Sequence, residues 1–565
     1  MTSRRARPDT APKLPLDGSS PTAERVVGSS VWAAYGDALG FISELTDEAG
    51  LLRRTQGVPL VEPVSWQRRI GGRQGVNVVL PAGCYSDDTQ LRLSTARAIG
   101  PNGFDVEAFA KVELTVWPSY ALGGGRGTKA AATSLAKDQI AWYANTFKGW
   151  TDCGGNGAAM RIQPHVWSSR ELDDPTGYLR DVVRNTICTH GSPIGILGAV
   201  LHALALAHAT STGEVPTPPE MLRRIDEAAC VPDLMRKDPE VGEYWLGLWE
   251  RATGRSFEEA WIACVSDARD VVQVAVESGG SKCGGYRSML DRLGLFHPST
   301  RGSGILTALA AVALLWFESR PREAVIAAAT AIGSDTDTIG TMAGAIAGAC
   351  ASELPPIEVL DLPMLEREAT RLAALAAGPG DRGHRYPDLL HWSPPRTQSD
   401  ALVQGDGGLE VVGLGPASAA SGGSVLGTQK EFLWQWVNLD LGQSLLIKRR
   451  KELERVHRQT LSIGDTEDRT HRSLVTGETN LTLLDRTDRA ADTMISANRP
   501  REDVPAALKP LDRGVKLEDV LAWLDESKLQ NDASLGYVLR RVARDGTPDQ
   551  MALLMGTLRE RLRRQ

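Results

Sequence analysis

Residues Gly333–Cys350 read GSDTDTIGTMAGAIAGAC, and few folds can accept such a stretch. Gly340, Gly344 and Gly348 recur every four residues, so in a helix they share one face. A glycine in a helix interior costs about 1 kcal/mol against alanine. The repetition therefore predicts a helix whose bare face lies close against a neighbouring helix. Just upstream, Asp335 and Asp337 alternate with the hydroxyls of Ser334, Thr336 and Thr338. Side-chain oxygens of this kind accept from the free N–H groups of a first helical turn. The expectation is an acidic loop anchored on a buried helix. Such an anchor would hold hard oxygen ligands rigidly enough for a small divalent cation.

A second acidic cluster, Ser86-Asp87-Asp88-Thr89, stands at the entry of another helical pattern, where an N-cap is the plain reading. If the two clusters meet, four carboxylates converge, and that charge cannot stay buried without cations. Two ions of the Mg²⁺ type would neutralise it and leave positions for water or substrate oxygens. A calcium EF-hand does not fit, because Ile339 and Ile346 occupy the fifth and twelfth places of the loop. Zinc is disfavoured, since no Cys or His spacing accompanies the carboxylates.

The chain has 565 residues, enough for two or more domains. Its net charge of -7 argues against a dominant nucleic-acid footprint. The seven cysteines form no C-x-x-C pair, so reduced thiols and a cytoplasmic setting are expected. The apolar runs around His202 and His208 fall short of a membrane span, and no membrane association is expected. Residues 1–21 are basic with no hydrophobic region behind them, and are expected to be a disordered leader.

Along the chain, Ala23–Gly40 has helical spacing and contains Asp37; Glu44 follows, then an irregular Gly- and Pro-rich segment to Gly83. The run GGGRGTK at Gly123–Lys129 lacks the G-K-[ST] order of a phosphate loop and reads as a turn. The glycines of Gly154–Arg161, Gly157 among them, expose N–H groups that could cradle phosphate. His190 precedes a long apolar helix, whose N-terminus attracts anions. Strand signals are few, and an all-α bundle is expected over residues 22–395. Residues 396–427 read as a Gly/Ser-rich linker. Residues 428–565 read as a smaller, mostly helical module: Glu431–Arg458 has apolar residues followed by a basic run, and Leu517–Glu526, Ser534–Arg544 and Thr547–Arg564 read as three short helices. The basic run Lys448–Lys451 reads as a solvated helix face.

Five motifs together, GDALG (Gly36–Gly40), YSDDTQ (Tyr85–Gln90), GNGAAMR (Gly155–Arg161), THG (Thr189–Gly191) and Gly333–Ala349, resemble the ADP-ribosylglycohydrolase family in type and order. That family includes the glycohydrolase that reactivates dinitrogenase reductase. The resemblance implies an all-α catalytic domain with two Mg²⁺ or Mn²⁺ ions. It implies metal ligation by Ser86, Asp87, Asp88, Asp335, Asp337 and Thr338. It also implies a catalytic acidic residue at Glu44 beside Asp87 and Asp335, and contacts to ADP-ribose from Asn156, Gly157 and His190. The implied reaction is hydrolysis of the bond between ADP-ribose and an acceptor, whether protein, nucleic acid or small molecule. The alternative is an ADP-ribose-binding regulatory protein without turnover. In either case residues 428–565 are the expected meeting place for a protein partner. Two departures stand out: Ser334 where a second glycine is common, and Ser192 where a second histidine is common.

Overall fold

The computed structural model describes residues 22–72, 75–137, 140–279, 285–378, 383–389, 392–427, 431–456, 539, 542–543 and 546–564. The expected leader and the expected helix Leu517–Glu526 lie outside these, as does nearly all of Ser534–Arg544.

Helix α1 (Ala23–Ser43) starts at Thr22, whose side chain caps the N–H of Arg25. It is followed by a short helix α2 (Glu48–Arg54) and a hairpin of β1 (Trp66–Ile70) and β2 (Val76–Leu80), in the segment expected to be irregular. Helix α3 (Asp87–Arg97) carries the first acidic cluster at its N-terminus. Helices α4 (Pro175–Ile187), α5 (Pro193–Thr212), α6 (Phe257–Gly279) and α7 (Gly304–Phe317) build the next part of the bundle. Helix α5 is long and apolar enough to cross a membrane, but 89% of its apolar window is buried inside the fold. His202 and His208 are core residues on it, 0% and 4% exposed. Helix α8 (Thr336–Cys350) is the glycine-faced element, and α9 (Leu362–Ala377) closes the bundle. The mostly helical architecture is the one the sequence predicts.

The neighbour of the glycine face is α1, running antiparallel. Gly28 lies opposite Gly348, Trp32 opposite Gly344, Gly36 opposite Gly340, and Gly40 opposite Thr336. A Cβ on Gly340 would come within 2.7 Å of the Gly36 carbonyl oxygen, and one on Gly28 within 2.5 Å of that of Gly348. Hydroxyls close the remaining gap. Ser29 donates to the Ala345 carbonyl at 2.7 Å, and Thr341 and Thr336 donate to those of Ala33 and Gly40 at 2.9 and 2.8 Å. The four-residue spacing thus appears on both helices, which is why they can lie backbone to backbone.

Beyond α9 the structure corrects the expected linker and module boundary. Residues 402–450 form one antiparallel sheet of β3 (Leu402–Gly405), β4 (Gly408–Val411), β5 (Gly415–Leu426), β6 (Phe432–Leu439) and β7 (Ser444–Arg450), in that order. The Gly/Ser-rich stretch is β5, whose small residues pair along β6, with a register break between Ala419 and Ser424. Within the stretch expected to belong to the mostly helical module, residues 432–450 are β6 and β7 instead: FLWQWVNL and SLLIKRR carry Phe432, Trp434, Trp436, Val437 and Ile447, aromatic and β-branched residues that sit well on a half-buried pleat. Nor is this sheet a separate body. Leu402, Val411, Val437, Leu439, Leu445 and Ile447 belong to the same apolar core as the bundle. The buried guanidinium of Arg97 donates to Gln443 at 2.6 Å and pairs with buried Glu113 at 2.7 Å. The basic run lies on the edge strand β7, where Arg450 pairs with Asp400 at 2.7 Å and Lys448 sits over Phe432. Charged residues on an edge strand discourage pairing with other chains. The last helix, α10 (Pro548–Arg564), falls where Thr547–Arg564 is expected.

The packing gives three predictions. Gly36→Ala should cost about 3 kcal/mol in chemical denaturation, because the methyl meets backbone that cannot yield. Gly177→Ala, on an open face of α4 with nothing within 4 Å, should instead stabilise by about 0.5–1 kcal/mol. Truncation at residue 400 should produce an insoluble or molten chain, judged by circular dichroism and gel filtration, because it uncovers the apolar face beneath the sheet.

Candidate metal and substrate site

The C-terminal end of α1 and the N-terminal ends of α3 and α8 converge, and each brings acidic residues. Asp37 of α1 organises the junction. Its carboxylate accepts from the N–H groups of Ser86 and Thr89, both at 2.9 Å, and from the Thr89 hydroxyl at 2.6 Å. It is thus a cap for α3 supplied by another helix. Arg92, 1% exposed, donates to Thr89 and Thr341 hydroxyls at 2.8 and 2.7 Å, tying α3 to α8. Charge-assisted bonds of this kind are the stronger ones.

Ser86, Asp87, Asp88, Asp337 and Thr338 are all buried. Ser86 is the N-cap of α3: it accepts from the Asp88 N–H at 3.2 Å and donates to Oδ2 of Asp88 at the same distance. Oδ1 of Asp88 is buried with no hydrogen-bond partner. Burial and then Asp37, Asp87 and Asp335 push Asp88 well above the usual carboxylate range. Burial and then Glu44, Asp88, Asp335 and Asp37 do the same to Asp337. Each acidic loop therefore feels the carboxylates of the other, although they lie far apart in sequence. Asp87 is pushed up to about 7 by burial, Glu44 and Asp37, against Lys129 and Arg68.

Among the described residues no three His, Cys, Asp or Glu side chains stand at metal-holding spacing. The donor set nevertheless suits a hard divalent cation. All six candidate ligands offer oxygen, one buried carboxylate oxygen has no partner, and the like charges are desolvated.

Glu44 is the C-cap residue of α1 and pairs with Arg68 of β1 at 3.0 Å. Burial raises its pKa, Arg68 lowers it, and Asp335 raises it, with a net upward shift. Asn156 is turned toward a carboxylate: its amide donates to Asp335 at 2.8 Å and to Thr307 at 3.2 Å. It thereby orients Asp335. His190 packs over the glycine loop, with its ring 3.2 Å from where a Gly157 Cβ would be. Burial and Arg161 push His190 down to about 3, so it is neutral. Arg161 donates to the Thr189 hydroxyl at 2.9 Å, and that oxygen lies 2.7 Å from Nδ1 of His190. The Thr189 hydroxyl thereby holds the His190 ring in place over the glycine loop.

Several participants carry no sequence signal of their own. Gly123 (φ +143°) belongs to the GGG turn, and its backbone lies directly against the Asp87 carboxylate. Lys129, Arg68 and Thr307 join only through the fold. Asp37 alone was marked, by its place in GDALG. Ser334 is now explained: its hydroxyl donates to the Ala331 carbonyl at 2.8 Å and closes the turn before Asp335.

The family model for ADP-ribosylglycohydrolase matches residues 19–382, more than half of the chain. Over 345 residues the chain is 25% identical to ADP-ribosylhydrolase ARH3 of Bos taurus, covering 59% of this chain and 86% of that protein. Over 276 residues it is 29% identical to ADP-ribosylhydrolase ARH3 of Danio rerio, covering 47% and 69%. A solved chain of an ADP-ribosylglycohydrolase-related protein complex overlays 63% of this chain and 98% of its own, at 21% identity and a TM-score of 0.41.

A carboxyl whose pKa is higher folded than unfolded keeps its proton longer in the folded state, so stability falls as pH rises past the unfolded value. In chelator the protein should therefore lose several degrees of Tm between pH 4 and pH 7, the window set by Asp87 moving from 3.8 to about 7. Added Mg²⁺ should restore Tm more at pH 7 than at pH 4, as read by scanning calorimetry.

Proposed function

This chain belongs to the ADP-ribosylglycohydrolase family, a family of glycosyl-bond hydrolases, and from that premise we propose a metal-dependent release of ADP-ribose from a modified acceptor. The observation that carries the reading is the meeting of the Ser86–Asp88 and Asp335–Thr338 loops, in which each raises the carboxyl pKa values of the other.

In this reading Ser86, Asp87, Asp88, Asp335, Asp337 and Thr338 would hold two Mg²⁺ or Mn²⁺ ions. When bound, these supply the positive charge that neutralises the carboxylates and orients ribose hydroxyls and a water. The chain's own groups do the rest. Glu44 takes a proton from the attacking water, and its ion pair with Arg68 favours the ionised form that a base requires. Water oxygen bonds to the ribose anomeric carbon while the acceptor leaves with the bonding pair. The surrounding carboxylates stabilise the positive charge that develops on the ring. Asn156 keeps Asp335 in place, and neutral His190 faces the substrate across Gly157.

The six described cysteines are free, which is consistent with the reduced, cytoplasmic setting that belongs to the same proposal. Strands β6 and β7 are part of the core, so a protein partner reached through residues 428–565 would be met beyond Arg450.

The test is release of ADP-ribose from a panel of arginine-, serine- and phosphate-linked substrates, with Mg²⁺ and with EDTA. Wild type should turn over at least one linkage, with about 10²-fold or greater loss in EDTA and in Asp335→Ala or Asp337→Ala. If wild type is inert on every linkage yet binds ADP-ribose by calorimetry, the protein is a reader of ADP-ribose and the hydrolase assignment fails.

A further inference from the structure

Asp361 stands immediately before α9 with φ +62°, in the left-handed region that costs a residue with a Cβ about 1–2 kcal/mol. It occupies the N-cap position, yet its side chain makes no capping bond to α9. The carboxylate is turned instead to two other parts of the chain. Oδ2 accepts from the Tyr85 hydroxyl at 2.7 Å and from the Ser444 N–H at 2.8 Å, and Oδ1 accepts from the Ser444 hydroxyl at 2.7 Å. Tyr85, 1% exposed, immediately precedes the Ser86–Asp88 loop, whereas Ser444 opens β7. Backbone contact reinforces the link. The Leu360 N–H donates to the Gly83 carbonyl at 3.0 Å, and a Cβ on Gly83 would come within 2.7 Å of the Glu358 carbonyl oxygen. The residue beside Ser444 grips the other end of α3, since buried Gln443 accepts from Arg97. Two adjacent residues at the β6–β7 turn therefore hold the approach to α3 and its last residue. That turn is itself seated on α9, where Arg367 donates to the Leu441 carbonyl at 2.8 Å.

We propose, on the metal-dependent reading above, that Asp361 is a positioning residue through which the C-terminal sheet fixes the Ser86–Asp88 loop for cation binding. Ser86 has two duties, as the cap of α3 and as a candidate ligand, so its hydroxyl must be set by the backbone that enters it. Asp37 holds that backbone from one side, through the Ser86 N–H. Tyr85 holds it from the other, with its ring fixed at the hydroxyl end by Asp361. Hydrogen bonds to a carboxylate are about twice as strong as neutral ones. A strained residue persists where its surroundings over-determine it, and three hydrogen bonds to two distant segments do so here. A cation site requires its ligands to be held within about 0.5 Å of the productive geometry. Slack in the Gly83–Tyr85 approach is therefore felt first as lost affinity for the metal. Strands β6 and β7 lie beyond residue 382, where the family match ends, so the sheet adds a support of its own to one acidic loop. The second loop is held by other means, the contact of α8 with α1.

Two measurements on the full chain test this. The first is calorimetric titration of Mg²⁺ into wild type, Tyr85→Phe, Ser444→Ala and the double variant. Each single variant should bind Mg²⁺ roughly tenfold more weakly, the lower end of the loss seen when partners behind metal ligands are removed. The double variant should be no weaker than Tyr85→Phe, because both act through Asp361, and Ser444→Thr should keep wild-type affinity. Val437→Ala, which opens a cavity under the same sheet, should lower Tm and leave Mg²⁺ affinity unchanged. Unchanged affinity in Tyr85→Phe or Ser444→Ala, losses that multiply in the double variant, or an equal loss in Val437→Ala overturns the proposal. The second is hydrogen exchange in chelator, read by mass spectrometry. Exchange at residues 85–89 should be roughly tenfold faster in Ser444→Ala, with residues 336–350 unchanged. Equal rates at residues 85–89 overturn the proposal. If wild type binds neither Mg²⁺ nor Mn²⁺, the metal reading fails by itself, and the exchange still decides whether the sheet holds the loop.

Discussion

The backbone-to-backbone contact of α1 and α8 is the constraint on which the rest depends. Side chains normally hold helices 8–10 Å apart, and here glycines on both partners remove them at facing positions. The hydroxyls of Ser29, Thr336 and Thr341 then bond directly to carbonyls of the opposite helix. Because α1 ends in Asp37 and Glu44 and α8 begins with Asp335 and Asp337, this one contact sets where four of the acidic groups lie. Asp37 then draws in the third helix end by capping α3.

Concentrating buried carboxylates opposes folding, and the surrounding structure offsets that cost with hydrogen bonds that tolerate little movement. Arg92 bridges α3 and α8, Asn156 holds Asp335, and the Gly123 turn leaves space for Asp87. Strongly shifted acids gathered in this way are typical of a working site. On the far side of Glu44 the sign of the charge reverses, from the acidic loops to the arginines of α2 and β1. Glu44 and Arg68 lie on that boundary.

Most of the helical fold was legible because helices are local: the spacing of glycines, caps and apolar residues in Ala23–Gly40 and Gly333–Cys350 depends on nearby sequence alone. The acidic motifs were legible for the same reason. The sheet was not. In β5, Gly, Ala and Ser hide a strand because the partner that defines it, β6, comes later in the chain and its register is interrupted. Strand pairing is a long-range property, and composition is a weak guide to it. The hairpin of β1 and β2 was missed likewise, in a segment whose glycines and prolines suggested irregular loops. The roles of Asn156 and GGGRGTK depended on where Asp335 and Asp87 would arrive.

By itself, then, the sequence determined a glycine-faced helix, two acidic helix entries, an ADP-ribosylglycohydrolase motif order and a mostly helical bundle, since each is written in residues a few positions apart. The tertiary structure alone decided that α1 is the partner of α8, that Asp37 caps α3, and that the C-terminal sheet belongs to the same core. It alone gathered four arginines beside Glu44. These rest on approach in space, through burial, hydrogen bonds and Coulomb forces between groups that sequence distance keeps apart.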